Sequence, residues 1–259
     1  METEYKILKD FIIYNYKKDI NFENDFTLAV SLGNILYQNI KLENTIIDYN
    51  SPLCVKKILD ENIGQICQGF QICYLYLLKS FNIKCRPVVV HRHTNSFSEN
   101  EKEELLVMWK KKMDTLIPFC MNNEKPEEFM VRQFIEDQNH CFVEMYINNK
   151  WVIFDPTFNC LYKYKKKYIN CEELSELIKS NENIEFDYIY ESKKQRIENY
   201  YLPIKYHHLI FNCDKNSYLF QNKIQLMANN TGLGTVIKLF PYDWSELYLN
   251  NSIYKNFIK

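Results

Sequence analysis

The chain has little glycine, little proline and almost no net charge. Only five of its 259 residues are glycine and seven are proline, which excludes collagen-like tracts and long flexible linkers. With 32 basic and 33 acidic residues the formal net charge is −1, so the charge balance predicts no nucleic-acid partner. The lysine-rich run 163–167, next to several tyrosines, is interpreted as a solvated strand edge.

Long apolar runs are also absent from the sequence. No run is long enough to cross a bilayer, and residues 1–30 lack the uninterrupted apolar stretch of a secretory signal peptide. We therefore expect no membrane partner and a cytoplasmic location.

The nine cysteines are scattered and contain no C-x-x-C pair, so their spacing does not support a structural zinc site. A D-x-D-x-D-G calcium loop does not occur either. We predict no metal and no cofactor. Most free cysteines in a reducing compartment are small buried apolar residues, so a functional cysteine has to stand out by its setting.

What the chain does contain is enough apolar and aromatic sequence for a packed core. Hydrophobic residues make up 46% and aromatic residues 15% of it, and no domain boundary is visible. We predict one domain over 1–259 of the α+β class, with helices first and an antiparallel sheet after them. The predicted elements are helices at 5–16, 26–39, 52–59, 68–81, 98–117 and 172–179, strands at 84–91, 140–147 and 151–154, several strands between 200 and 239, and a final helix from 244.

The segment 68–81, QGFQICYLYLLKSF, is the most informative of these helices. Its apolar residues cover nearly the whole circumference, which predicts a helix buried in the middle of the fold. Cys67 lies at its start, flanked by Gly64 and Gly69. A helix N-terminus offers free N–H groups and a partial positive charge, both of which stabilise a thiolate. Cys67 is therefore a candidate nucleophile.

A hairpin supplies two further candidates. If Asn148-Asn149 form a two-residue turn, Tyr146 pairs with Trp151, and His140 and Asp155 fall on the same face one diagonal step apart. Diagonal neighbours lie roughly 7–8 Å apart in the backbone, within reach of an imidazole and a carboxylate. A three-residue turn would put the two side chains on opposite faces.

These three residue types form a working set for acyl transfer. A thiolate attacks a carbonyl, a histidine holds the proton and returns it to the leaving group, and an aspartate orients the imidazole and stabilises its cation. Cys67, His140 and Asp155 are accordingly predicted to form a catalytic triad.

Two segments of the chain resemble the transglutaminase-like superfamily. GQICQGFQICYLYLLKSFNIKCRPVVV (64–90) is similar to its nucleophile segment, in which a G-x-C-type motif opens a helix and an lGi-x-x-R-x-V strand follows. NHCFVEMYINNKWVIFDPTF (139–158) is similar to its second segment, H-x-W/F-x-E-V-x-x-x-x-x-W-x-x-x-D-P-T. Trp151, Pro156 and Thr157 match framework positions of that motif.

The resemblance implies a papain-like core, with the nucleophile helix packed on an antiparallel β-sheet. It also implies catalytic roles for Cys67, His140 and Asp155. The chain departs from the pattern in two ways. Gly64 precedes the cysteine by three residues instead of two, and residues 92–138 form a charged, partly helical insertion. That insertion either covers the active site and selects the substrate or is surface decoration.

The implied activity is that of a cysteine-dependent acyltransferase with an acyl-thioester on Cys67. The donor is a thioester or an amide, and an acyl-carrier protein is one candidate partner. An amine acceptor gives an amide bond, as in protein crosslinking or small-molecule biosynthesis, whereas water gives hydrolysis by a peptidase, amidase or deamidase. We favour the amine; a non-catalytic scaffold is the third alternative. The backbone N–H of Cys67 is the natural oxyanion donor, with Asn34 and Gln38 as candidate side-chain donors.

Overall fold

The computed structural model describes residues 2–189 except 44, 46, 93–97, 112, 118–119, 121–123, 129, 131–137, 181 and 183. Its helices are α1 (Glu2–Tyr16), α2 (Asp25–Asn39), α3 (Leu53–Glu61), α4 (Cys67–Ser80), α5 (Glu99–Lys111), α6 (Met113–Leu116) and α7 (Cys171–Lys179). Its strands are β1 (Cys85–Arg92), β2 (Gln138–Ile147), β3 (Lys150–Asp155), β4 (Cys160–Tyr164), β5 (Lys167–Tyr168) and β6 (Glu185–Tyr188). The predicted α+β class is confirmed. The elements predicted beyond residue 200 lie outside the described residues.

Local signals in the sequence account for several element ends. Asn24 precedes α2 and forms a capping box with Thr27, in which the Thr27 N–H donates to Asn24 Oδ1 over 3.0 Å. Pro52 precedes α3, and Asn62 ends that helix with a φ of 53°. Asparagine tolerates this left-handed conformation better than most residues.

The six strands of the described residues form one antiparallel sheet in the order β1-β2-β3-β4-β5, with β6 pairing with β4. The β2–β3 hairpin has the predicted register, since Tyr146 lies opposite Trp151. Asn148 and Asn149 make the turn with φ values of 51° and 63°. Two consecutive positive φ values are typical of the two-residue turn that matches strand twist.

Both faces of the sheet are buried. Side chains alternate along β2, so that Cys141 and Val143 join a first core with α1 to α4, whereas Phe142 joins a second core on the other face. The second core receives Leu105 and Trp109 from α5. The sheet therefore lies between two layers of helices.

Helix α4 is the central element of the first layer. Ten consecutive residues, from Gly69 to Leu78, are buried, as the apolar pattern around its whole circumference predicted. Gln71 is the polar exception among them, and its Nε2 donates to the carbonyl oxygens of Val88 (2.7 Å) and Phe142 (2.6 Å). These bonds attach the first turns of α4 to β1 and β2.

The segment predicted as one amphipathic helix at 98–117 contains two helices, α5 and α6. Leu105 and Trp109 are only 1% and 2% exposed. This part of the 92–138 segment is therefore core rather than surface decoration. Within the described residues, none of the helices has the length and apolar character needed to span a membrane.

Candidate active site

Cys67 is the first residue of α4 and is partly exposed. The preceding residue, Ile66, is extended (φ −97°, ψ −178°) and makes no side-chain cap. The first intrahelical bond of α4 is donated by Phe70 to the carbonyl of Ile66. The N–H groups at the start of the helix consequently lack intrahelical acceptors and are available to an anion beside Cys67.

His140 and Asp155 lie together, as the parity of the hairpin predicted. His140 is on β2, Asp155 is the last residue of β3, and His140 Nε2 is 2.5 Å from Asp155 Oδ2. Both side chains are buried, with Asp155 fully so. Because Nε2 is engaged by the carboxylate, Nδ1 is the ring nitrogen that remains for Cys67.

The carboxylate of Asp155 accepts hydrogen bonds on both oxygens. Oδ1 accepts from the backbone N–H groups of Thr157 (3.0 Å) and Phe158 (3.3 Å). Oδ2 accepts from the hydroxyl of Tyr162 (3.0 Å) in addition to its contact with His140. The backbone of the Asp-Pro-Thr-Phe turn thus fixes the Asp155 carboxylate next to His140.

The thiol of Cys67 is more acidic than an ordinary thiol. A hydrogen bond from the Cys141 side chain is the largest cause that holds the pKa of Cys67 well below 9.0, against burial, which raises it. A hydrogen bond and the charge of His140 lower that pKa further, as does the backbone N–H of Cys141. Cys67 therefore contacts two consecutive residues of β2.

Burial lowers the pKa of His140, but its neighbours outweigh this effect. The charge and hydrogen bond of Asp155, followed by the contact with Cys67, raise the pKa of His140 from 6.5 to about 10. At neutral pH the site therefore favours a thiolate that faces an imidazolium. This pair forms above the lowered pKa of Cys67 and persists until the imidazolium loses its proton near pH 10.

Aromatic side chains surround the imidazole. Its ring centroid is 5.3 Å from that of Phe158 and 6.0 Å from that of Phe142. Such rings exclude water from the base and strengthen the electrostatic interactions around it.

Three residues that shape this site were not predicted from the sequence. Cys141 follows His140, and no feature of the sequence distinguishes it from the other scattered cysteines. Gln71 could have been predicted, because a lone polar residue in an otherwise apolar buried helix indicates a buried hydrogen-bond partner. Tyr162 had no signal, because its contact depends on the pairing of β3 with β4.

The two candidate side-chain donors for an oxyanion lie on α2. Asn34 is half-buried, and its Oδ1 accepts from Asn159 Nδ2 over 2.9 Å. Gln38 is exposed and donates to the same Asn34 oxygen. Among the described residues, the hydrogen bonds link neither of them to Cys67, so the start of α4 remains the natural position of the oxyanion donor.

In the part of the chain that the structure describes, no three His, Cys, Asp or Glu side chains are grouped as metal ligands. The described cysteines are all free thiols.

Comparison with known proteins identifies a family. A model of the transglutaminase-like superfamily matches residues 15–156, a segment that contains Cys67, His140 and Asp155. No curated protein and no solved structure gives a significant match. The match spans more than half of the chain and includes α4 and strands β1 to β3. The chain thus belongs to the transglutaminase-like superfamily, whose papain-like core serves cysteine-dependent acyl transfer or hydrolysis.

Proposed function

We propose that this chain is a cysteine acyltransferase that forms an acyl-thioester on Cys67 and passes the acyl group to an amine. The observation that carries the proposal is the contact of Cys67 with His140, which in turn contacts Asp155. The lowered pKa of Cys67 and the raised pKa of His140 support a nucleophile that is ionised before substrate arrives.

The first half-reaction consumes the donor, a thioester or an amide. The Cys67 thiolate attacks the carbonyl carbon, and the oxyanion that forms accepts a hydrogen bond from the backbone N–H of Cys67. The His140 imidazolium gives its proton to the leaving thiol or amine as the carbon–heteroatom bond breaks. The products are the acyl-thioester on Cys67, a neutral leaving group and a neutral imidazole held by Asp155.

The second half-reaction transfers the acyl group. Neutral His140 takes a proton from the incoming amine while the amine nitrogen attacks the thioester carbonyl. Collapse of the intermediate forms the amide and releases the Cys67 thiolate, which restores the ion pair. The aromatic surroundings of His140 support an amine rather than water, because a dry base disfavours hydrolysis.

Intact-protein mass spectrometry tests this assignment. The wild type, Cys67→Ala and Cys120→Ala are each given acyl-thioester and glutamine-amide donors, with and without a primary amine. Cys120→Ala is the matched control, since it removes another partly exposed cysteine. We expect an acyl adduct on the wild type and on Cys120→Ala, none on Cys67→Ala, and release of the adduct as an amide when amine is added.

The other outcomes separate the alternatives. Release only as free acid, whatever amine is supplied, would assign the same residues to a hydrolase. Equal lack of labelling in the wild type and Cys67→Ala across a broad donor panel would contradict catalysis and favour a binding scaffold.

A further inference from the structure

Tyr162 lies on β4, outside the segment that the family model matches. Its side chain is 1% exposed. The ring packs against Phe142 at a centroid distance of 5.3 Å and meets Phe186 edge-on at 5.0 Å. These rings hold the hydroxyl in one place, 3.0 Å from Asp155 Oδ2.

The hydroxyl adds a second donor to an oxygen that His140 already uses. The orientation of the carboxylate is set independently, because Oδ1 accepts from the N–H groups of Thr157 and Phe158. Removing the Tyr162 hydroxyl would therefore not release the Asp155 side chain. It would leave more of the negative charge on Oδ2 for His140.

The thiol and phenols that pack beside Asp155 on β4 and β6 are neutral at neutral pH. Burial is the main cause that raises the pKa of Cys160, next to Asp155 on β4, and that of Tyr188 on β6. Burial and then the Asp155 charge also raise the pKa of Tyr162, so its phenol stays protonated and donates. A further carboxylate, Asp187 on β6, also raises the pKa of Cys160 and forms an ion pair with Lys163 over 2.5 Å. His140 is the cation that contacts Asp155 directly.

Resting on the proposed function, we propose that Tyr162 is a positioning residue for acyl transfer. By sharing Asp155 Oδ2 with His140, its hydroxyl limits how tightly the carboxylate holds the imidazolium. This matters for both half-reactions, because His140 must release its proton to the leaving group and take one from the acceptor. A histidine held too tightly as its cation is a poor general acid.

The experiment compares Tyr162→Phe with Tyr164→Phe and the wild type. Tyr164 is a matched control on the same strand, since its hydroxyl donates to the Glu182 carboxylate over 2.8 Å, away from the site. The readout is the rate of Cys67 alkylation by iodoacetamide against pH, followed by peptide mass spectrometry. That rate rises first when the thiolate forms and again when His140 loses its proton.

We expect Tyr162→Phe to move the second inflection to higher pH by roughly half a unit, and Tyr164→Phe to leave it in place. In the transfer assay, kcat of Tyr162→Phe at neutral pH should fall roughly threefold with KM unchanged. Replacing Tyr162 by 3-fluorotyrosine, a stronger donor of nearly the same shape, should move the inflection to lower pH. This variant keeps the test valid if the phenylalanine variant folds poorly.

An unchanged second inflection in the Phe and fluorotyrosine variants would overturn the proposal and make Tyr162 a core residue. A shift of the second inflection to lower pH in Tyr162→Phe would also overturn the proposal, because a shift in that direction means that the carboxylate has lost its orientation. Alkylation needs no acyl substrate. A chain that proves not to transfer acyl groups therefore fails the proposed function without changing these inflections.

Discussion

At the scale of single residues, the contact of Cys67 with Cys141 distinguishes this site. The thiol of Cys141 lies on the strand that carries His140, and its hydrogen bond is the largest cause of the lowered pKa of Cys67. A thiol is a weak donor, yet a thiolate in a partly buried site has few alternatives. His140 and Cys141, two neighbours on one strand, therefore together stabilise the thiolate form of Cys67.

We predict that Cys141→Ala raises the pKa of Cys67, because alanine removes the thiol donor and leaves the backbone N–H in place. Alkylation of Cys67 should then begin at higher pH, with a severalfold slower rate on the acidic side of the inflection. Rates at pH 5–9 with iodoacetamide measure it. Cys54→Ala, which removes a buried cysteine with a pKa raised to about 12, is the control. Identical profiles for the two variants would contradict the role of Cys141.

The three candidate catalytic residues could be predicted from the sequence, but the neighbouring donors that contact Cys67 and Asp155 could not. Cys67, His140 and Asp155 could be selected because helix start and hairpin parity are short-range properties of the sequence. The donors from Cys141 and Tyr162 depend on how α4 docks on β2 and on how β4 pairs with β3, which are contacts between distant segments. No pattern within one element encodes them.

At the scale of elements, the position of α4 on the sheet depends on Gln71. The residue lies one turn after Cys67, and its two hydrogen bonds reach β1 and β2 at Val88 and Phe142. Phe142 is two residues from His140, so these bonds set the helix register next to the histidine. A slide of α4 along the sheet would separate Cys67 from His140.

Gln71→Leu should lower the free energy of unfolding by about 1–3 kcal/mol, because it removes two buried hydrogen bonds to backbone carbonyl oxygens. Urea denaturation measures the loss. The folded fraction should also alkylate more slowly at Cys67 at neutral pH, since α4 is no longer held in register. Gln68→Leu, on the same helix but partly exposed, is the control. Equal stability and equal alkylation in the two variants would show that packing alone positions α4.

The elements with strong local patterns were predicted close to their observed bounds, whereas of β4 to β6 only the solvated strand edge at 163–167 was predicted. The apolar circumference of α4 and the two asparagines of the β2–β3 turn are each sufficient evidence for their structure. Strands β4 to β6 contain only two to five residues, which is too short for a period-2 pattern to stand out. They are stabilised by the sheet edge to which they add, so their existence is a tertiary property.

At the scale of the whole molecule, the sheet needs cover on both faces. The second core, from α5 to α7, encloses Phe142 and Phe158, the rings that contact His140. A buried ion pair ties the same region together, since Glu144 accepts from Arg86 over 2.5 Å and from the N–H of Cys171 over 2.7 Å. Residues far from Cys67 in the sequence thereby form the surroundings of His140.

Trp109→Ala tests this second layer. Removing a fully buried indole should lower the free energy of unfolding by about 3–5 kcal/mol, measured by thermal or urea denaturation. Val107→Ala on the same helix is the control, because Val107 is 48% exposed and such surface changes cost less than about 0.5 kcal/mol. A loss as small for Trp109→Ala as for Val107→Ala would contradict the assignment of α5 to the core.

The order of the site along the chain has a consequence for biosynthesis. Cys67 leaves the ribosome before His140, Cys141 and Asp155, and the side-chain and backbone groups that lower its pKa belong to His140 and Cys141. A nascent or unfolded chain therefore carries Cys67 as an ordinary thiol, protonated at neutral pH. The lowered pKa of Cys67 is established when the hairpin docks on α4 and is lost if the hairpin opens, so unfolded states expose a thiol that is mostly protonated rather than a thiolate.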